Sequence, residues 1–237
     1  MDWQKGEMLY EGKAKRIYAT QDPDHYICEF KDSLTAFNGV LKAELSNKGE
    51  WNNSIASAIM GFLNSQGVPT HFVEKISPSE QVVRKLKMVP LEAVVRNYVA
   101  GSLAKRTGLD EGTPLSRPVL EYHWKKDELN DPLMTEDLML AMGLVTEAQL
   151  AAFRALCLKV NSLLTAFMDK RGIMLIDAKY ELGYFHETEL MIGDEVSPDT
   201  CRFWNKEDMT KLDKDRFRRK LGNVAEAYQE ILKRVTQ

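Results

Sequence analysis

The run Ile173-Met174-Leu175-Ile176-Asp177-Ala178-Lys179-Tyr180-Glu181-Leu182-Gly183 changes character in its middle, and that change decides the fold. Four apolar residues read as a buried strand. The alternation that follows puts Asp177, Lys179 and Glu181 on one face and Ala178, Tyr180 and Leu182 on the other. A buried strand that ends in three charges on one face ends in a polar cleft. The chain then turns near Glu187-Thr188 and returns through Leu190-Met191-Ile192-Gly193-Asp194-Glu195, which brings Asp194 nearly opposite Glu181. Two carboxylates so placed repel unless a cation lies between them, and Mg2+ accepts carboxylates together with substrate phosphates. The competing reading is an exposed sheet edge with alternating charges.

Upstream of this strand, Thr146 and Gln149 form a capping box for a helix predicted over 146–171, with Gly172 as its stop. Leu150, Phe153, Cys157, Val160, Leu164, Phe167 and Met168 make its apolar stripe. Downstream, a last helix is predicted from near Asp213, presenting Phe217, Leu221, Val224, Tyr228, Ile231 and Leu232. The first third of the chain alternates short apolar runs with turns. Leu9-Tyr10, Ile17-Tyr18-Ala19 and residues 26–30 read as strands of a small antiparallel sheet, with Asp22-Pro23-Asp24 as a turn. A helix with Asn47 as N-cap and Glu50 three residues later follows, carrying Trp51, Ile55, Ile59, Phe62 and Leu63. Residues 72–76 and 81–86 are predicted strands, Met88-Val89-Pro90 an interruption, and 92–97 an extended continuation. Gly101-Ser102 opens a short helix through Lys105 and Arg106, and 108–118 reads as a surface loop. The expected class is α+β.

The 237 residues are 44% hydrophobic and 28% charged, enough to bury a core, and the net charge is −3. That balance argues against a nucleic-acid partner, which needs a basic surface. Cys28, Cys157 and Cys201 are odd in number and widely spaced, as expected in a reducing compartment. The first residues lack the apolar segment of a signal peptide, and no apolar run approaches the roughly 20 residues of a membrane span. A cytoplasmic protein is expected.

Three further stretches carry candidate chemistry. In Glu11-Gly12-Lys13-Ala14-Lys15-Arg16, glycine lets backbone approach a phosphate and the lysines supply charge, although such tips are commonly just solvated turns. Neither GxxxxGK[ST] nor GxGxxG occurs. Arg96-Asn97 followed by Ala100-Gly101-Ser102 reads as an anion site or as an ordinary helix cap. Ser197-Pro198-Asp199-Thr200-Cys201-Arg202 places Arg202 for a second anion. The histidines are scattered, and HExxH and a nucleophile elbow are absent, so covalent catalysis by a side chain has no support.

Taken together, Glu11-Gly12-Lys13-Ala14-Lys15, the segment 96–102, the segment 177–183, the segment 193–199 and Asp213-Lys214-Asp215-Arg216 resemble the SAICAR synthetases in order and spacing. The likeness runs from about Leu9 into the final helix. It implies an ATP-grasp or kinase-like α+β fold with a small antiparallel β-rich lobe (1–89), a larger α+β lobe (90–237) and a nucleotide cleft between them. It implies a ligase that joins L-aspartate to the carboxylate of carboxyaminoimidazole ribotide (CAIR), giving SAICAR, ADP and phosphate in de novo purine biosynthesis. Homodimers or larger homo-oligomers are also implied. By position, Gly12, Lys13, Ala14 and Lys15 would cover the ATP phosphates, and Met88 would lie in a hinge beside adenine. Glu181 and Asp194 would hold Mg2+. Arg96, Ser102 and Arg202 would grip the ribotide phosphate, with Asp177 and Lys179 lining the reacting end. The stretch 32–39 falls in a variable loop of the family, where some members carry Asp in place of Asn38, so that position receives no charge-dependent role. A kinase-like phosphotransferase and a nucleotide-sensing module would use the same loop and acids. The first would not consume aspartate, and the second would not release ADP.

Overall fold

The computed structural model describes residues 2–36 and 40–237, so Asn38 lies outside the described residues. Strands β1 (Met8–Glu11), β2 (Lys15–Ala19) and β3 (His25–Phe30) form an antiparallel meander, with Asp22-Pro23-Asp24 between β2 and β3. A separate hairpin pairs β4 (Ser33–Ala36) with β5 (Leu41–Glu44). After α1 (Lys48–Ser65), strands β6 (Phe72–Lys75) and β7 (Glu80–Arg84) complete a five-stranded sheet of order β1-β2-β3-β7-β6.

The second sheet contains β8 (Lys87–Tyr98), β9 (Pro114–Trp124), β10 (Leu133–Met134), β11 (Ile173–Phe185) and β12 (Glu189–Gly193), in the order β10-β9-β8-β11-β12. Strand β11 is long enough to pair twice on one side, with β13 (Cys201–Asn205) along its first half and with β12 along its second. Helices α2 (Gly101–Thr107), α3 (Glu136–Ala141), α4 (Glu147–Asp169), α5 (Asp215–Arg218) and α6 (Val224–Val235) complete the α+β architecture.

One core joins these layers. Ile55, Ile59, Met60 and Leu63 of α1 share it with the α4 stripe and with Ala178, Tyr180 and Leu182 of β11. Burying each such side chain contributes about 1.5–3 kcal/mol. Helix α4 keeps its predicted capping box, with Thr146 Oγ1 accepting the Gln149 N–H. By length and composition α4 resembles a membrane span, but Leu150, Phe153, Cys157, Val160, Leu164 and Met168 are buried against the protein.

Four local expectations change. Asn47 adopts φ 66° and makes no side-chain cap. Instead the Asp32 carboxylate accepts the N–H groups of Asn47 (3.1 Å) and Gly49 (2.9 Å), a cap supplied from across the turn. Met88-Val89-Pro90 does not interrupt a strand but lies within β8. Pro90, which has no N–H to donate, sits where the pairing register with β11 shifts between Glu181 and Gly183. The loop predicted over 108–118 ends at Thr113, because residues 114–124 pair with β8. The single terminal helix divides into α5 and α6, since Lys220, Gly222 and Asn223 all take positive φ.

Candidate active site

Strand register builds the anion pocket. Asp177 of β11 stands opposite Arg96 of β8 on one side and Arg202 of β13 on the other. All three side chains share the face away from the core, as the period-two alternation requires. Arg96 Nη1 donates to Asp177 Oδ2 at 3.0 Å, and Arg202 Nη1 donates to the same oxygen at 2.8 Å. Arg96 also donates from Nη2 to Ser102 Oγ (3.0 Å) and from Nε to Glu121 Oε2 (2.7 Å). Arg202 Nε reaches Asp215 Oδ2 at 2.9 Å. Burial works against charge on Glu121, but His123 and Arg96 outweigh it and hold the carboxyl down at about 2. Gly101 is required beside this cluster: its φ is 54°, and a Cβ there would stand 2.4 Å from Arg202 Nη2. Arg96, Asp177, Lys179, Arg202 and Arg218 line a pocket of about 220 Å³.

A larger cleft, about 850 Å³, adjoins it. Leu9, Ile17 and Met88 give it apolar walls, and the turn Gly12-Lys13-Ala14 between β1 and β2 borders it. Met88 is 41% exposed, and its thioether lies close over Gly183 and Gly193. The Lys13 ammonium sits near the surface, 3.2 Å from Asp127. Lys15 instead reaches inward, pairing with Asp194 and approaching Glu195 Oε1 at 3.2 Å. Burial disfavours its charge, but Asp194 and Glu195 overcome this and raise its pKa.

The acids flagged by the sequence meet on one cation. Lys179 Nζ lies 2.7 Å from Glu181 Oε1, 3.4 Å from Asp194 Oδ2 and 3.1 Å from Glu92 Oε1. Burial opposes the Lys179 charge, yet Glu181, Asp194 and Glu92 raise its pKa well above the ordinary lysine value. Glu181 pairs in register with Gly193, and Asp194 follows at φ 55°. Burial also works against ionised Asp194, but Lys15 and Lys179 hold its carboxyl well below the usual carboxylate range. His71 Nε2 lies 2.8 Å from the Asp194 carbonyl oxygen, and burial, then the Lys15 charge, pushes this imidazole down to about 4.

Mg2+ commonly takes one or two protein carboxylates plus phosphate oxygens and water. Among the described residues no group of three or more His, Cys, Asp or Glu side chains is arranged to enclose a metal. Glu181 and Asp194 nevertheless converge on a single ammonium position, and the buried Glu195 Oε2 accepts no hydrogen bond from the described residues. These hard oxygen donors fit Mg2+.

All twelve residues singled out by sequence therefore line or border two adjoining pockets: Gly12, Lys13, Ala14, Lys15, Met88, Glu181 and Asp194 at the larger, Arg96, Ser102, Asp177 and Arg202 at the smaller, and Lys179 at both. Glu92, Glu121, Lys125 and Glu195 were missed. Glu92-Ala93-Val94-Val95-Arg96 repeats the charge alternation of β11, so Glu92 carried a readable signal. Lys125, 2.5 Å from Glu181 Oε2, reaches the cluster only through the β8–β9 pairing.

Two pockets rich in cations, joined at a lysine, on a mixed α+β frame define an enzyme that brings anionic reactants together. The SAICAR synthetase family model matches residues 8–235. A phosphoribosylaminoimidazole-succinocarboxamide synthase of Deinococcus deserti is 53% identical over 233 residues, covering 98% of each chain. The crystal structure of that enzyme from Ehrlichia chaffeensis superposes with a TM-score of 0.94 at 42% identity, covering 97% of this chain and 98% of that one. A SAICAR synthetase in complex with ADP superposes at 0.93, also 42% identical, covering 97% of both. This chain belongs to the SAICAR synthetase family, and it is a ligase of purine biosynthesis.

Proposed function

We propose that the protein uses ATP to join L-aspartate to the carboxylate of CAIR, forming SAICAR, ADP and phosphate in the cytoplasm. One observation carries this reading: Glu92, Lys179, Asp199, Thr200 and Arg218 line both pockets, so a nucleotide in one and a ribotide in the other would meet at Lys179. A 42% identical relative solved in complex with ADP supports the nucleotide assignment. The division into lobes 1–89 and 90–237, with the nucleotide between them, is part of this proposal, as is assembly into a homodimer or larger homo-oligomer.

In this scheme Lys13 and Lys15 balance the ATP phosphates and the backbone near Met88 reads the adenine edge. Arg96, Ser102 and Arg202 bind the ribotide phosphate through the fork that already grips Asp177. Glu181 and Asp194 hold Mg2+, which when bound neutralises phosphate charge. A carboxylate is a poor acyl donor because oxide would have to leave. Attack of a CAIR carboxylate oxygen on the γ-phosphorus expels ADP and forms an acyl phosphate, whose phosphate then leaves as the aspartate amine attacks the carbonyl carbon. Lys179 stabilises the charge that develops on the transferring group. Direct amine attack with concerted loss of phosphate uses the same residues.

An ADP-release assay with CAIR and aspartate each omitted in turn tests the proposal. ADP release that requires both, with SAICAR as product, is expected. Release with CAIR alone and a stable phosphorylated product would identify a phosphotransferase, and binding of ATP without release would identify a sensor.

A further inference from the structure

Asp213-Lys214-Asp215 contains one charge that the scheme above leaves without a task. Asp213 accepts the N–H groups of Phe203 (2.9 Å) and Asp215 (2.7 Å), and burial together with the Asp215 charge pushes it up to about 7. Asp215 holds Arg202 at 2.9 Å and Arg218 at 2.6 Å. Lys214, between them, lines the larger cleft with its side chain 12% exposed.

Its ammonium donates no hydrogen bond to any described residue, and the one carboxylate oxygen within 4 Å, Asp199 Oδ2, is 3.8 Å away. That oxygen already stands 2.6 Å from Lys48 Nζ, while Asp199 Oδ1 accepts the Tyr228 hydroxyl at 2.6 Å. Lys214 is thus a second cation beside an acid that another lysine neutralises. Burial lowers its pKa, and Lys48 and Arg218 add to this against the pull of Asp199. A mostly buried ammonium without a hydrogen-bonded acceptor is costly, and an arriving anion relieves that cost.

Its position matters as much as its charge. Asp199 and Arg218, which neighbour Lys214, belong to both pockets. The other cations there are committed: Lys179 to three acids, Lys15 to Asp194 and Glu195, and Arg202 to Asp177 and Asp215, while Arg218 gives Asp215 only its Nη1 among the described residues. A third reactant attacking the activated carboxylate has to enter beside this junction, and a dicarboxylic amino acid needs positive charge not already claimed by the nucleotide or ribotide. We propose that Lys214, with Arg218 beside it, binds a carboxylate of the amino-acid co-substrate and fixes its amine at the junction of the two pockets. This deepens the ligase reading and rests on it.

Steady-state kinetics of Lys214→Gln test it. The KM for aspartate should rise about 20-fold, the size expected for a lost charge-assisted hydrogen bond, with the KM values for ATP and CAIR within about threefold of the parent. Lys214→Arg should restore most of the loss. An independent measurement on the parent protein follows acylation of Lys214 by mass spectrometry, with ADP and CAIR present. Succinate, a dicarboxylate without an amine, should protect Lys214, and chloride at equal ionic strength should not. An unchanged aspartate KM in an active Lys214→Gln, equal shifts for all three substrates, or no protection by succinate overturns the proposal alone. If Lys214→Gln does not fold, the protection experiment decides. A parent protein that releases no ADP with CAIR and aspartate overturns the ligase reading and this subsite together.

Discussion

Replacing Lys179 by Met removes the one cation that, among the described residues, touches Glu92, Glu181 and Asp194 at once. Charge-assisted hydrogen bonds contribute about 1.5–3 kcal/mol each when both partners are present. The full sum does not apply here. Glu181 keeps Lys125 at 2.5 Å and Asp194 keeps Lys15, so Glu92 alone loses its ion-pair partner. The side chains are also 11–24% exposed, and solvent screens what remains. A net loss of about 2–4 kcal/mol follows, which for a chain of this size lowers Tm by about 5–15 °C. Turnover should be lost as well. The distinguishing consequence concerns metal: with the ammonium gone, the carboxylates should bind Mg2+ without nucleotide, and millimolar Mg2+ should raise the Tm of Lys179→Met while leaving the parent nearly unchanged. Differential scanning fluorimetry with and without Mg2+, and isothermal titration of Mg2+, measure both effects. A variant with the parent Tm, or one no more responsive to Mg2+ than the parent, would refute the view that Lys179 occupies the cation position between these acids.

Other expectations follow from the same geometry. Glu181→Gln should reduce kcat about 10²-fold or more while a thermal melt still reports a folded protein, because the charge that would hold Mg2+ in the proposed scheme is lost and the side-chain shape is kept. Arg96→Lys keeps the buried charge but loses the planar fork, so calorimetry should find CAIR binding weakened about tenfold or more and ADP binding unchanged. His71 has a folded pKa of about 4 against 6.5 ordinarily, so below 6.5 the unfolded chain takes up a proton that the folded protein refuses. Its contribution is full above pH 6.5 and is lost as pH falls toward 4, on the order of 3 kcal/mol over that window. Urea melts of His71→Phe should show that part of the acid slope removed, and an unchanged slope would count against it.

Much of the site was legible in strand periodicity. The alternation in 177–183 fixes which side chains enter the core and which face the cleft, and Ala178, Tyr180 and Leu182 are buried as that pattern demands. The turn between β1 and β2, the β11–β12 hairpin and the α4 cap are local, formed by residues close in sequence, and so they could be read directly. Asn47 deceived because its preference for capping is only a local tendency. Asp32, from before the hairpin, supplies better-placed oxygens. Pro90 deceived because a proline ends a strand only where its missing N–H would have been paired, and the register shift on β11 relieves that demand.

By itself the sequence determined the α+β class, the charged face of β11 and the family motifs that border the cleft. Tertiary structure alone decided that Arg96 and Arg202, distant in sequence, share one oxygen of Asp177, and that Glu92 and Lys125 join the acids around Lys179. It alone also left Lys214 beside an acid already matched by Lys48. The physical reason is range. Side-chain alternation is set by neighbouring peptide units, whereas the charge balance of a buried site depends on every strand and helix that reaches it.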